Sequence, residues 1–378
     1  MALAEVARQW TRIGCVGFGG PPAHIALLRE LCVERRSWLS DRQFEDAIAA
    51  TNLLPGPAST QLAIFCAWRV AGIPGALVGG LGFILPGLVL IVALAALFLA
   101  GSPPTWVLGA GAGAGAAVAA VAVHAGTALV PASLARAGRR GRARWGVYVA
   151  LGAVAAATVG PWLVLVLLGC GLAELLWRAG GRGTAASAHP VAALVLAAAA
   201  TGGLGALAWT AFKVGALSYG GGFVIIPLMQ ADAVDNNWMT EGQFLNAVAL
   251  GQVTPGPVVH TVAVVGYAAA GVGGALLAAA VAFGPSFSFV LLGADRFDRL
   301  TANRRVQAFL AGAGPAAIGA IIGSAVPLAR ALSETWQLGL LTAAAITLFV
   351  LHRGVVLTLV AAGAAGALIA TGGAPVPG

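Results

Sequence analysis

Between Ala76 and Ala100 the chain runs ALVGGLGFILPGLVLIVALAALFLA without one charged side chain. An α-helix needs roughly 20 apolar residues to cross about 30 Å of hydrocarbon. Comparable runs, such as WLVLVLLGCGLAELLW (Trp162–Trp177), recur along most of the sequence. Of the 378 residues 59% are hydrophobic and 9% charged. Soluble domains carry about 25% charged residues, so this inventory cannot supply a water-facing surface. A β-barrel would show short segments of alternating polarity, and those are absent. The sequence therefore predicts an all-α polytopic membrane protein.

The chain also repeats itself at an offset of 199 to 201 residues. RIGCVGFGG (Arg12–Gly20) meets KVGALSYGG (Lys213–Gly221), and WLSDRQFEDA (Trp38–Ala47) meets WMTEGQFLNA (Trp238–Ala247). LPGP (Leu54–Pro57) meets TPGP (Thr254–Pro257), GIPGAL (Gly72–Leu77) meets GVGGAL (Gly271–Leu276), and Pro86 meets Pro285. Chance does not hold one offset through five blocks. Two repeats are expected, 1–185 and 190–378, joined by RAGGRGTAASAHP (Arg178–Pro190).

Loop charge gives their orientation. Arg29–Arg42 holds four Arg, whereas its counterpart Gln230–Gly242 holds none and carries Asp232, Asp235 and Glu241. Gly101–Thr105 is uncharged, whereas its counterpart Asp295–Arg305 holds four Arg. Because Lys and Arg favour the cytoplasmic side, equivalent loops face opposite sides and the repeats are inverted. The five Arg of Arg136–Arg144 are expected to be cytoplasmic as well. Three apolar segments separate that stretch from Arg29–Arg42, yet two cytoplasmic loops require an even number of crossings. Parity returns if Gln43–Arg69 enters and leaves by one face, broken at Pro55-Gly56-Pro57. The stretch around Phe18-Gly19-Gly20 is read as a second re-entrant break.

Proline inside a helix removes a hydrogen bond and clashes with the preceding turn, whereas at a helix start it is tolerated. Each Pro-Gly-Pro thus reads as one helix ending and another beginning. Such backbone survives at membrane depth only where it is buried or lines a cavity, and helix N-termini favour anions. The sequence predicts broken helices from both repeats meeting near the midplane. Their predicted ligand-binding positions are Gly19, Gly20 and Pro21; Pro55, Gly56, Pro57, Ser59 and Thr60; Gly220, Gly221 and Gly222; and Thr254, Pro255, Gly256, Pro257 and His260. Lys213, the single Lys beside twenty Arg, is a candidate fixed positive charge or a snorkelling side chain. Arg12 aligns with it. His24 is a candidate oxyanion donor or proton carrier, with an unperturbed pKa of about 6.5, or a packing histidine.

GFGGPPAHIALLRE, CVERRSWLSD, LLPGPASTQLAI and GFILPG resemble the N-terminal signature of the chromate ion transporter family. FKVGALSYGGGFVIIPLM, VTPGPVV and AFGPSF are similar to its C-terminal repeat. The resemblance covers both halves and matches the long, two-repeat form. It implies chromate efflux across the cytoplasmic membrane, with sulfate as the look-alike oxyanion, and it favours a functional His24. FGPS and SYGGGFV depart mildly from the family's pattern, which leaves substrate preference open.

No HExxH, GxSxG or paired-carboxylate constellation occurs, and GAGAGAGAA (Gly109–Ala117) follows no strand and lacks a nucleotide loop's Lys-Ser/Thr. Small residues so spaced suit close helix packing. The four Cys are scattered without metal spacing, and MALAEVARQW has no signal-peptide pattern. The expectation is a non-enzymatic, multi-pass protein of the cytoplasmic (inner) membrane, with no cofactor, metal or nucleic-acid partner. Chromate or a sulfate-like oxyanion is the expected substrate, with a coupling proton or counter-anion, and a homodimer is compatible with this reading. Export of another small anion and a non-transporting membrane scaffold are the alternatives.

Overall fold

The computed structural model describes residues 3–51, 56–158, 162–179, 203–218, 225–293 and 303–377. Every regular element among them is helical. The first repeat contributes α1 (Leu3–Val16), α2 (Pro21–Arg29) with a π-helical turn at Glu30–Arg35, α3 (Asp41–Thr51), α4 (Ala58–Phe98), α5 (Thr105–Thr158) and α6 (Leu163–Arg178). The second contributes α7 (Leu204–Leu217), α8 (Ile225–Asp235), α9 (Glu241–Val253), a 3-10 turn at Val258–His260 and α10 (Thr261–Gly293). It continues with α11 (Arg304–Gly323), α12 (Ala325–Arg330), α13 (Thr335–Phe349) and α14 (Val355–Thr371). Among the described residues, four helical stretches, Ala58–Phe98, Thr105–Thr158, Val258–Gly293 and Arg304–Arg330, are long and apolar enough to cross a membrane. The linker expected from Arg178 to Pro190 lies almost wholly outside the described residues, as do 295–302 of the basic stretch Asp295–Arg305.

Helix α4 is a hairpin. Gly72 sits at φ 63°, ψ −154° and Ala71 at φ −143°, ψ 25°, so the chain turns a corner where a Cβ would be strained. Arms 58–70 and 73–98 then lie side by side. A Cβ added at Gly75 would strike the Ala67 carbonyl, and one at Gly79 the Ala67 side chain. In a straight helix Ala67 and Gly75 would be about 12 Å apart. Helix α10 repeats the device, with Ala270 at φ −155° and Gly271 at φ 61°, and there Gly266 faces Gly274 and Ala278.

The contacts of α1 fix where these arms lead. Its buried face is Val6, Trp10, Ile13 and Gly14. Trp10 Nε1 donates to Ala63 O at 2.8 Å, Trp10 lies against Gly79, and Gly14 lies against Gly82 and Phe83. So α1 runs parallel to arm 73–98. Glu5, near its start, pairs with Arg36 at 2.5 Å, and Arg29 pairs with Asp41 and Glu45 at 2.5 and 2.6 Å. Helices α1 and α2 therefore enter and leave by one face, and α3 with arm 58–70 enters and leaves by that same face. The re-entrant hairpin expected from loop parity and the one read around Phe18-Gly19-Gly20 are both present.

The inversion follows from how α4 meets α10. Gly80 lies against Phe287, while Gly87 lies against His260, whose ring sits edge-on to Phe283 at 5.3 Å. Advancing along arm 73–98 thus means retreating along α10. The corners at Gly72 and Gly271 fall at opposite faces. In a Cys15→Ser background, cysteines at exposed Ser37 and Ile73 should react with an impermeant maleimide from one side, and a cysteine at Asn237 from the other. Labelling of Ser37 and Ile73 positions from opposite sides would refute the hairpin.

Three segments read as loops are largely helical. Arg29–Arg42 contains the end of α2 and the π-turn, and Gln230–Asp235 belongs to α8. Arg136–Arg144 bends only at Gly138, φ 63°. In each case the apolar residues interleaved with the charges extend helical packing past the first charge. The small-residue run of α5 packs as expected: Gly109 and Gly113 are in backbone contact with Gly366 of α14.

Candidate functional site

Two junctions join the repeats in the protein core, and each sets a break of one repeat against the other repeat. In the first, α1 ends at Val16 and the chain passes through Gly19 and Gly20 at φ 99° and 72°, conformations that glycine adopts without a Cβ penalty. Helix α2 then opens with Pro21 and Pro22. Neither has an N–H, so the first free donor of this N-terminus is Ala23, and Pro21 shapes the turn without donating. One turn on, the ring of His24 is fully buried and edge-on to Phe83 at 5.0 Å. Its Nε2 lies 2.9 Å from Gly17 O. A carbonyl only accepts, so this bond puts a hydrogen on Nε2 and leaves Nδ1 as a lone pair unless a second proton binds. A Cβ on Gly17 would come within 2.9 Å of the imidazole, which is why glycine precedes the aromatic residue.

The second repeat's Pro-Gly-Pro closes this junction. Gly256, at φ 89°, donates its N–H to the same Gly17 carbonyl at 2.9 Å. Pro257 is the N-cap of the following turn, with extended dihedrals, so the N–H groups of Val258 and Val259 lack intrahelical acceptors. His260 is fully buried. A Cβ added at Gly87 would lie 2.7 Å from its ring. Neither His260 ring nitrogen makes a well-formed hydrogen bond among the described residues, although the Ile84 carbonyl is close enough to polarise the ring. His24 Nδ1 is also without a partner.

The other junction is built the same way with different side chains. Gly56, at φ 116°, approaches α7 so closely that an added Cβ would lie 3.1 Å from Gly215 O. Pro57 is the N-cap of arm 58–70, which leaves the N–H groups of Ala58 and Ser59 unused by the helix. Ser59 and Thr60 are buried. The hydroxyls of Thr60, Ser218 and Ser286 are buried without partners. In the repeat alignment Thr60 answers to His260, Ser218 to Gly17 and Ser286 to Gly87. The alignment thus sets a hydroxyl, Thr60, against the imidazole of His260, and places Ser218 and Ser286 at the positions of two glycines. No Asp or Glu belongs to either set.

The remaining sequence-predicted residues fall into three groups. Thr254 and Pro255 are buried in the first junction's wall, where Thr254 Oγ1 donates to Leu250 O at 2.9 Å. Pro55, Gly220, Gly221 and Gly222 lie outside the described residues. Arg12 and Lys213, aligned in the repeat, sit in different surroundings. Arg12 is exposed on the polar face of α1, in a depression shared with Arg8, Arg35 and Arg36. Lys213 is buried and ion-paired to Asp232, which also accepts from Thr210 Oγ1 at 2.6 Å. The single lysine is thus charge-balanced, because Asp232 sits on helix α8 and turns inward. Sequence reasoning missed Asp232, Gly17, Gly87, Ser218 and Ser286. Only the shared offset pointed to the last four, since each falls at or beside a matched block.

The family model described as chromate transporter matches residues 4–175 and again 205–367. A chromate transport protein of Cupriavidus metallidurans is 31% identical over 96% of this chain and 92% of its own length. A chromate transport protein of Pseudomonas aeruginosa is 30% identical over 88% of this chain and 83% of its own length. No solved structure matches the chain. With both repeats matched in order, and with broken helices meeting across the repeat interface, this multi-pass membrane protein belongs to the chromate transporter family.

Proposed function

We propose that the protein is a secondary transporter that exports chromate, and more weakly sulfate-like tetrahedral oxyanions, across the cytoplasmic membrane. Such export would confer chromate resistance. The observation that carries this reading is the pair of crossed junctions, where helix N-termini and buried, unpartnered polar side chains from both repeats converge. An unmade hydrogen bond in a buried site costs about 1–3 kcal/mol, so a native chain keeps several together where a ligand completes them. A dianion shed of water would take N–H donors at Ala58, Ser59, Val258 and Val259 and hydroxyl donors at Thr60, Ser218 and Ser286. Gly19, Gly20, Gly56 and Gly256 let it approach the backbone.

His24 gives this site a route to proton coupling. Its Nδ1 lone pair repels an oxyanion and, once protonated, becomes a cationic donor to it. Alternating access follows from one re-entrant pair rocking against the other, since substrate sites of inverted-repeat transporters lie at the repeat interface. The five Arg of Arg136–Arg144 and those of Arg29–Arg42 support a cytoplasmic position for that face, because Lys and Arg favour that side.

The deciding experiment is labelled chromate uptake into proteoliposomes under imposed pH and potential gradients. Gradient-driven accumulation that sulfate competes away, and that phosphate and molybdate compete away less, is the expected result. Absence of accumulation under every gradient, with cells equally chromate-sensitive with and without the protein, would leave the scaffold reading standing.

A further inference from the structure

Away from the junctions, a cavity of about 360 Å³ opens between residues 133–148 of α5, α6 and α11, around the basic corner at Gly138. Its floor is Glu174, whose side chain is 4% exposed. Arg144 Nε reaches Glu174 Oε2 at 2.9 Å, and Arg178 Nε reaches Oε1 at 2.8 Å. Tyr148 donates to Oε2 at 3.2 Å. Arg178 engages the carboxylate through Nε, and among the described residues its terminal nitrogens make no other bond. Arg136 also lines the cavity and makes no ion pair among the described residues. Three guanidinium groups thus face one carboxylate, and the wall carries a net positive charge.

The surroundings match the headgroup level of a bilayer. Arg144 stacks on Trp177 at 5.1 Å, and Trp145 donates to Ser133 at 3.0 Å. Trp and Tyr gather at membrane interfaces. Directly along α5 from the cavity, Val147, Leu151 and Val154 form one exposed apolar stripe, at the spacing that puts side chains on one helix face. Leu172 and Leu176 of α6 are exposed as well. A polar, cationic recess above and a greasy stripe below is the profile of a diacyl anionic lipid.

We propose that this cavity binds the phosphodiester headgroup of an anionic glycerophospholipid, with its acyl chains along the α5 stripe. Arginine suits phosphate because its planar fork donates two parallel bonds. Basic recesses between membrane helices are where such headgroups bind. Glu174 acts as the positioning residue: it fixes two guanidinium groups in advance, so lipid binding need not order them. A zwitterionic headgroup brings its own cation to the Arg136–Arg144 field and is disfavoured.

The test is native mass spectrometry of delipidated full-length protein titrated with phosphatidylglycerol, phosphatidylcholine or inorganic phosphate. Phosphatidylglycerol should bind the wild type about tenfold more tightly than phosphatidylcholine, with inorganic phosphate failing to displace it. Arg136→Gln should abolish that preference. Arg139→Gln, on the same segment but outside the cavity lining, should keep it. Equal binding of the two lipids would overturn the proposal. So would displacement by inorganic phosphate, which indicates a soluble-anion site, or an equal loss in Arg139→Gln, which indicates diffuse surface charge. Should Arg136→Gln fail to fold, the wild-type comparison of the three probes decides the question by itself.

Discussion

Asp232→Asn should destabilise the protein by roughly 3–5 kcal/mol, the cost of leaving one member of a buried ion pair uncompensated. The side chains of Lys213 and Asp232 are 6% and 12% exposed, so water cannot take over the lost partner. Thr210 donates to the carboxylate and cannot accept from the lysine in its place without rotating. Lys213→Gln should lose a similar amount, because it strands the carboxylate instead. The double replacement Lys213→Met with Asp232→Leu should recover most of the loss, since packed apolar pairs often match buried ion pairs in stability. Denaturant titration of the purified protein in detergent reads all four forms. If both single variants unfold where the wild type does, the pair is not holding α7 to α8. If the double variant is stable yet transports nothing, the pair serves transport as well as the fold.

His260→Leu is expected to behave in the opposite way. The imidazole is fully buried, and its nitrogens lack well-formed partners, a situation that costs about 1–3 kcal/mol. Leucine removes that cost and retains much of the packing against Phe283 and Gly87. Stability should hold or rise by about 1 kcal/mol, while chromate transport in proteoliposomes should fall at least about tenfold, the size of one lost ligand bond of about 1.4 kcal/mol. A gain in stability at the expense of activity marks a group kept for function. Full transport by a stable His260→Leu protein would remove the imidazole from the mechanism. A matched loss of stability and transport would make it a packing residue.

The re-entrant hairpins could be read from the sequence because charge parity, Pro55-Gly56-Pro57 and the Phe18-Gly19-Gly20 break are one-dimensional signals. The corners at Gly72 and Gly271 were present in the aligned GIPGAL and GVGGAL blocks, but nothing in those letters distinguishes a left-handed turn from a small-residue contact. Asp232 illustrates a different limit. A carboxylate among polar neighbours reads as a loop, and only the three-dimensional course of α8 brings it to Lys213, 19 positions earlier. The junction glycines were legible as breaks, whereas their partners were not. That Gly256 bonds to Gly17 depends on the repeats crossing over, which no spacing within either repeat encodes.

The two junctions occupy equivalent places yet carry different side chains. Were the halves chemically identical, exchanging their shapes would convert a carrier open to one compartment into its mirror image at no energetic cost. His260 opposite Thr60, Gly17 opposite Ser218 and Gly87 opposite Ser286 break that degeneracy. For a carrier that works by such an exchange, these three mismatches set which compartment the empty protein prefers to face, and evening them out would push the resting bias toward parity.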